Sequence, residues 1–238
     1  MNSVQETWVY LSALPLFHLT LTMVAFQGAS WLFEKGGRNP LLNPVLGAII
    51  LVVSVLLITK TDYATYFEGA QFVHFLLGPA TVSLAIPLYR QWHKVRGSAL
   101  AIGASLLTGS LVAILTAVGM AWLLGGSETL LASIAPKSAT APVAMAISED
   151  LGGLPSLTAV LVIVSGIFGA MFGPLILNLI GVTDWGARGL AIGTASHGIG
   201  TARALQVNET AGAFSGLAMG LNAMATALLV PILWGLLF

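Results

Sequence analysis

SALAIGASLLTGSLVAILTAVGMAWLL, residues 98–124, holds no charged side chain. As an α-helix rising about 1.5 Å per residue it reaches about 40 Å, more than the roughly 30 Å of bilayer hydrocarbon. A spanning β-barrel strand would show about ten residues of alternating polarity, whereas this run is continuously apolar. It therefore predicts a membrane-crossing helix. Comparable runs lie on both sides, at 8–33, 41–58 and 71–89 before it and at 155–181 and 210–238 after it.

Over the 238 residues 57% are hydrophobic and only 8% charged, against roughly 25% charged in water-soluble domains. Nine basic and nine acidic residues cancel, so no net field steers the chain to nucleic acid, and no nucleic-acid partner is expected. The absence of cysteine removes disulfides, thiolate catalysis and thiolate metal sites. Four histidines stand far apart, and neither a metal site nor a cofactor is expected.

The placement of charge predicts topology. Lys35 and Arg38 follow the first run, Lys60 the second, and Arg90, Lys94 and Arg96 the third. That alternation predicts an outside N-terminus with loops 34–40 and 90–97 in the cytoplasm. The first run lacks a preceding basic stretch and is too long for a signal-peptide core. It is expected to be a retained span, and no soluble domain is expected after 210–238. Trp92, Trp122, Trp185 and Trp234 fall near span ends, where indole rings anchor at the headgroups.

Two stretches are apolar at both ends and broken in the middle: ETLLASIAPKSATAPVAMAIS (128–148) and RGLAIGTASHGIGTARALQ (188–206). Pro136 and Pro142 lie in the first break, and Gly193, Gly198 and Gly200 in the second, residues that interrupt the helical hydrogen-bond ladder or let backbones approach closely. A milder version runs from Gly78 to Pro87. Pro79, Pro136 and Thr194 stand 57 and 58 residues apart, with one uninterrupted helix in each interval, the spacing of an internal repeat.

Nine residues separate Glu128 from Lys137, and nine separate Arg188 from His197, so each break lies about 14 Å deep, near the midplane. An ionised side chain there costs at least about 2.5 kcal/mol unless it faces water, protein or a counter-ion. Neither stretch contains an acidic residue between its ends, since Glu128, Glu149, Asp150, Asp184 and Glu209 all sit at predicted span ends. Lys137 and Arg203, the hydroxyls of Ser138, Thr140, Ser196 and Thr201, His197, and the N–H ends of the half-helices together suit a small organic anion. Asn43 and Thr81 are lesser candidates.

Each candidate also has a structural reading. Lys137 can snorkel or pair with Asp150, His197 can be a neutral core histidine, Arg203 can bridge to Glu209, and the hydroxyls can satisfy freed backbone groups. Catalysis is not expected. Ser138 beside Lys137, or Ser196 beside His197, would form a dyad only if a break reshaped them, because adjacent helical side chains diverge by about 100°. No His-Glu-x-x-His or Gly-x-Ser-x-Gly signature is present.

PKSATAPVAMAI (136–147) and GTASHGIGTARA (193–204) resemble the signature of the LrgB/CidB family, the larger partners of holin-like LrgA/CidA pairs. NPLLNP (39–44), YATYFEGA (63–70), GPATVSLAIPLY (78–89) and TAGAFSGLAM (210–219) extend the resemblance over nearly the whole chain. Thr210 and Ala211 depart from it, standing where an acidic or polar pair is more usual. The resemblance implies two roles. One is an antiholin-like regulator of murein hydrolase export and lysis, acting with a small LrgA-like protein. The other is a carrier of glycolate, glycerate or pyruvate, as in the related plastidal glycolate/glycerate translocator. The candidate residues agree with the carrier.

The expectation is thus an all-α polytopic membrane protein with about 7–8 membrane segments, two or three of them discontinuous or re-entrant, and probable internal repeats. It forms one transmembrane domain over 1–238: N-terminal helices 1–97 with the interrupted segment 78–87, a helix plus an interrupted segment in 98–148 and again in 154–206, and a C-terminal helix 210–238. Elevator-type motion in a homodimer of the bacterial cytoplasmic membrane, coupled to a proton or sodium ion, completes the reading.

Overall fold

The computed structural model describes residues 15–39, 42–76, 79, 82–83 and 85–238. Among them the secondary structure is helical throughout: α1 Pro15–Lys35, α2 Pro44–Thr59, α3 Tyr63–Phe75, α4 Ala85–Arg90, α5 Trp92–Gly97, α6 Ala99–Leu123, α7 Glu128–Ile134, α8 Ala141–Asp150, α9 Pro155–Leu179, α10 Trp185–Val207 and α11 Glu209–Leu237. Four of these, α1, α6, α9 and α11, are long and apolar enough to cross a membrane, and α2 is a shorter apolar helix. Contacts group the chain into two compact units, 1–83 and 84–238.

In the first unit α1 packs against α2 and α3. Gly47 lets α2 approach Ala29, where a Cβ would stand 2.9 Å from the alanine methyl. Thr22 Oγ1 and Tyr66 OH share a 2.8 Å hydrogen bond. The boundaries follow capping chemistry: Asn43 Oδ1 accepts from the Val45 and Leu46 N–H groups at 2.9 and 3.1 Å, and Asp62 accepts from Ala64 N–H at 2.9 Å. That second cap starts α3 at Tyr63, eight residues before the expected crossing 71–89, and α3 ends at Phe75. The expected crossing is therefore not one helix. Within its interrupted part, 78–87, residues 78, 80, 81 and 84 lie outside the described residues, Thr81 among them.

The second unit is apolar outside and polar within. Leu100 is 90% exposed and Leu179 88%, a surface that only lipid or a partner can cover. Buried inside are Ser110, Ser133, Ser148, Thr158, Thr194, Ser196, His197, Thr201, Ser215, Asn222 and Thr226. Two apolar clusters bracket Ser110 and Asn222 of this set. One joins Ile102, Leu106, Leu190, Phe214 and Ala218, and the other Ile114, Val118, Leu131, Ile147 and Val230. Ser110 falls between them at the twelfth of the 25 residues of α6, and Asn222 at the fourteenth of the 29 of α11. These two polar side chains thus sit at mid-height of two spanning helices.

Helix α10 and helix α11 form a tight hairpin. Asn208 caps α11, its Oδ1 accepting from Thr210 N–H at 2.9 Å and Ala211 N–H at 3.2 Å. Gly189 and Gly193 lie against the backbones of Ala211 and Ser215 so closely that a Cβ at either would overlap the carbonyl opposite. Close approach of small residues four apart is how membrane helices gain packing energy where lipid supplies no hydrophobic drive. Gly193→Leu is expected to destabilise the fold by about 1–3 kcal/mol through overpacking, read as a lowered thermal midpoint of the detergent-purified protein. Gly103→Leu, at an open position, serves as the tolerated control.

Candidate functional site

The first break arises where α7 meets prolines. Ser127 Oγ caps its start, accepting from Leu130 N–H at 3.3 Å. Pro136 has no N–H to continue the ladder, and the chain passes through two tight turns, with Lys137 N–H donating to Ile134 O at 3.1 Å and Ala139 N–H to Pro136 O at 2.9 Å. Thr140 is extended (φ −66°, ψ 147°) and α8 restarts behind it, with no hydrogen bond from the Thr140 side chain to its first turn. The break thus faces an uncapped, positive helix end.

The second break lies inside α10, at His197, whose φ of 39° and ψ of −132° are not helical. This is the residue on which the sequence reading centred the break, and the glycines around it are not turned themselves. Gly193 instead packs on Ser215, and Gly198 follows the turned residue. A non-glycine residue in so sparsely populated a region costs about 1–3 kcal/mol and persists only where its surroundings hold it. Here the imidazole Nε2–H donates to Val162 O on α9 at 2.9 Å, the assignment the carbonyl acceptor requires. Gly166 on α9 makes room for the ring, for a Cβ there would stand 2.6 Å from His197 Cε1. Thr201 Oγ1 closes the far side, donating to His197 O at 2.8 Å and sharing a 2.9 Å bond with Ser215 Oγ.

Helices α9 and α11 bring the two breaks together. Ser165 Oγ of α9 lies 3.1 Å from Lys137 O in the first break and 2.9 Å from Val162 O, the same carbonyl that receives His197 from the second. Asn222 Nδ2 of α11 donates to Ser138 O at 2.9 Å and to Thr194 O at 3.1 Å. The Lys137 ammonium is half-buried and donates to Ser138 Oγ at 3.3 Å. Among the described residues the ion pairs are Arg38 with Glu34 and Arg90 with Glu209, so Lys137 has no carboxylate partner there. Ser196 Oγ is buried without a hydrogen-bond partner and fills the space a Cβ at Gly169 would need. A groove between α6 and α10, lined in part by Ser105, Gly109, Ala191, Thr194 and Ala195, runs up to the second break.

Lys137, Ser138, Thr140, Ser196, His197 and Thr201 therefore belong to the two joined breaks. Arg203 stands further along α10, half-buried, its Nη1 3.5 Å from Gln206 Oε1; Glu209, its expected partner, pairs with Arg90 at 3.3 Å. Asn43 caps α2 in the other unit. Asn222, Ser165 and Ser110 escaped the sequence reading. A lone asparagine 13 residues into the run that starts at Glu209 was the visible signal, since polar groups at that depth are expensive.

These elements define a multi-pass helical membrane protein with discontinuous helices. The LrgB-like family model matches residues 22–236, and the chain belongs to that family. YxaC, an uncharacterized protein of Bacillus subtilis, is 36% identical over 214 residues, 90% of this chain and 93% of its own. The holin-like protein CidB of Staphylococcus aureus N315 is 34% identical over 218 residues, 92% and 95% of the two chains. An uncharacterized protein of Haemophilus influenzae is 34% identical over 205 residues, 86% and 89%. No solved structure matches the chain.

The wedge of His197 against Gly166 is open to test. Gly166→Ala is expected to lower the thermal midpoint, by about 1–3 kcal/mol of overpacking. In a His197→Gly background, where the ring is gone and glycine adopts the turn freely, the same alanine should cost little.

Proposed function

We propose that this protein is an alternating-access carrier of small monocarboxylates such as glycolate, glycerate or pyruvate, working in the bacterial cytoplasmic membrane with a small LrgA-like protein. The observation that carries the reading is Lys137: a half-buried ammonium between two helix breaks, hydrogen-bonded to Ser138 and paired with no carboxylate among the described residues. The uncapped first turn of α8 adds N–H donors beside it. A carboxylate supplies the missing negative charge and accepts from both, in charge-assisted bonds roughly twice as strong as neutral ones. Ser138, Thr140 and, from the facing break, Ser196 and His197 remain for the hydroxyl or keto group that distinguishes these acids. Thr201 holds the second break in shape, and Arg203 stands further out, where it attracts anions. Asn43 and Thr81 have no direct part in this proposal.

Transport requires the site to open to alternate sides, and broken helices near mid-height are the device by which carriers hold a substrate while a rigid body moves around it. The shared partners on α9 and α11 make one body of both breaks. Elevator-like motion in a homodimer and coupling to a proton or sodium ion complete the proposal, and no catalytic step is assigned to any residue. The second reading, an antiholin-like regulator of murein hydrolase export and lysis, is favoured by the name of the staphylococcal CidB relatives.

Purified protein in proteoliposomes, with and without the LrgA-like partner, separates the two. A carrier gives saturable uptake and counterflow of a few small carboxylates, and an imposed pH or sodium gradient identifies the coupling ion. Unsaturable leak of unrelated solutes supports the lysis-related pore instead. Lys137→Met is expected to lower uptake about 10- to 100-fold, the worth of one charge-assisted hydrogen bond of about 1.5–3 kcal/mol, with protein still in the membrane. Arg203→Met should have the smaller effect, and unchanged uptake by Lys137→Met would sink the site.

A further inference from the structure

Breaking two helices frees particular carbonyl groups. The helical partner of Ser138 O would be the N–H four residues on, but position 142 is proline and has none. The helical partner of Thr194 O would be Gly198, which lies beyond the turned backbone of His197. Both carbonyls lie in buried bonds to Asn222 at mid-height of α11, where an unsatisfied acceptor is costly.

One side chain answers both. Asn222 is fully buried, and its two amide protons go one to each break, to Ser138 O at 2.9 Å and Thr194 O at 3.1 Å. Its Oδ1 accepts from Ser110 Oγ of α6 at 2.5 Å. Flipping the amide would set Oδ1 against two carbonyl oxygens, so the network fixes its orientation. The side chain has two donors and one oxygen, and each is used by a different element.

We infer that Asn222 is a positioning residue for the binding site, an uncharged bracket that locks the two breaks into one unit so that a ligand held at Lys137 and Ser138 also fixes Thr194 and His197. This inference deepens the carrier reading and rests on it for its effect on transport. The bracket itself, a physical tie between two segments of one chain, stands without that reading. Serine could not replace it, having one proton for two acceptors, and neither could aspartate when ionised, having none.

The test has two arms. Hydrogen exchange of the purified protein reads the bracket directly. In Asn222→Ala, amides in segments 134–141 and 193–200 should exchange at least about tenfold faster, both together, the counterpart of one lost hydrogen bond of about 1.4 kcal/mol. Acceleration in one segment only, or in neither, overturns the proposal. Should Asn222→Ala fail to fold, Ser110→Ala leaves the amide in place but unties its Oδ1, and a smaller acceleration of the same two segments is expected, with none overturning the bracket. The second arm is the pH profile of uptake by Asn222→Asp. Protonated aspartate donates one bond and ionised aspartate repels both carbonyls, so its uptake should rise as pH falls, with KM increasing toward neutral pH relative to the parent. A profile and KM that superimpose on the parent protein overturn the positioning role. If the parent protein shows no saturable uptake, the carrier reading fails while the exchange arm still decides the bracket.

Discussion

Every backbone group that a broken helix frees inside a membrane must find a partner within the protein, because hydrocarbon offers none. The second unit is organised around this requirement. Ser165 answers Lys137 O, Asn222 answers Ser138 O and Thr194 O, and Thr201 answers His197 O. Each partner sits on an uninterrupted helix or on the far side of a break. The intact helices α9 and α11 therefore act less as walls than as donors of missing hydrogen bonds.

Such partners reach their targets only if backbones come unusually near. Glycine supplies that nearness at two seams. On α9, Gly166 and Gly169 accept the His197 ring and the Ser196 hydroxyl; between α10 and α11, Gly189 and Gly193 meet Ala211 and Ser215. A methyl group at Gly166 would push the His197 ring from its acceptor, and at any of the other three it would overlap the atoms opposite. Packing and polar satisfaction are thus one design rather than two, and the glycine-rich look of residues 186–200 reflects contact more than suppleness.

The helical membrane fold was legible because it follows from composition and run length, which need no tertiary knowledge. The two broken stretches were legible because proline, glycine and cations inside apolar runs are locally improbable. What the sequence hid was partnership. Nothing local marks Val162 as the acceptor of His197, since any residue has a carbonyl. Nor does anything mark Asn222 as facing residues 28 and 84 positions away. The break in α10 falls at His197, the residue to which its depth was counted, though nothing local marks that histidine as the turned residue, held by contacts from another helix. The start of α3 was missed because one carboxylate, Asp62, caps a helix that hydropathy alone begins later. Arg203, prominent as a cation, turned out to stand toward the end of its helix.

The bonds at the breaks also bear on what sign of charge the proposed site would take. A severed helix offers carbonyls at one stump and N–H groups at the other, and so begins with no bias between cations and anions. In this protein Asn222 occupies the carbonyls of Ser138 and Thr194, and the one Ser165 proton lies between those of Lys137 and Val162, while the first turn of α8 keeps no side-chain cap. Subtracting the engaged acceptors leaves a surplus of donors, to which the Lys137 ammonium adds. In the proposed carrier, selectivity for anions would then rest partly on neutral groups, by what they consume.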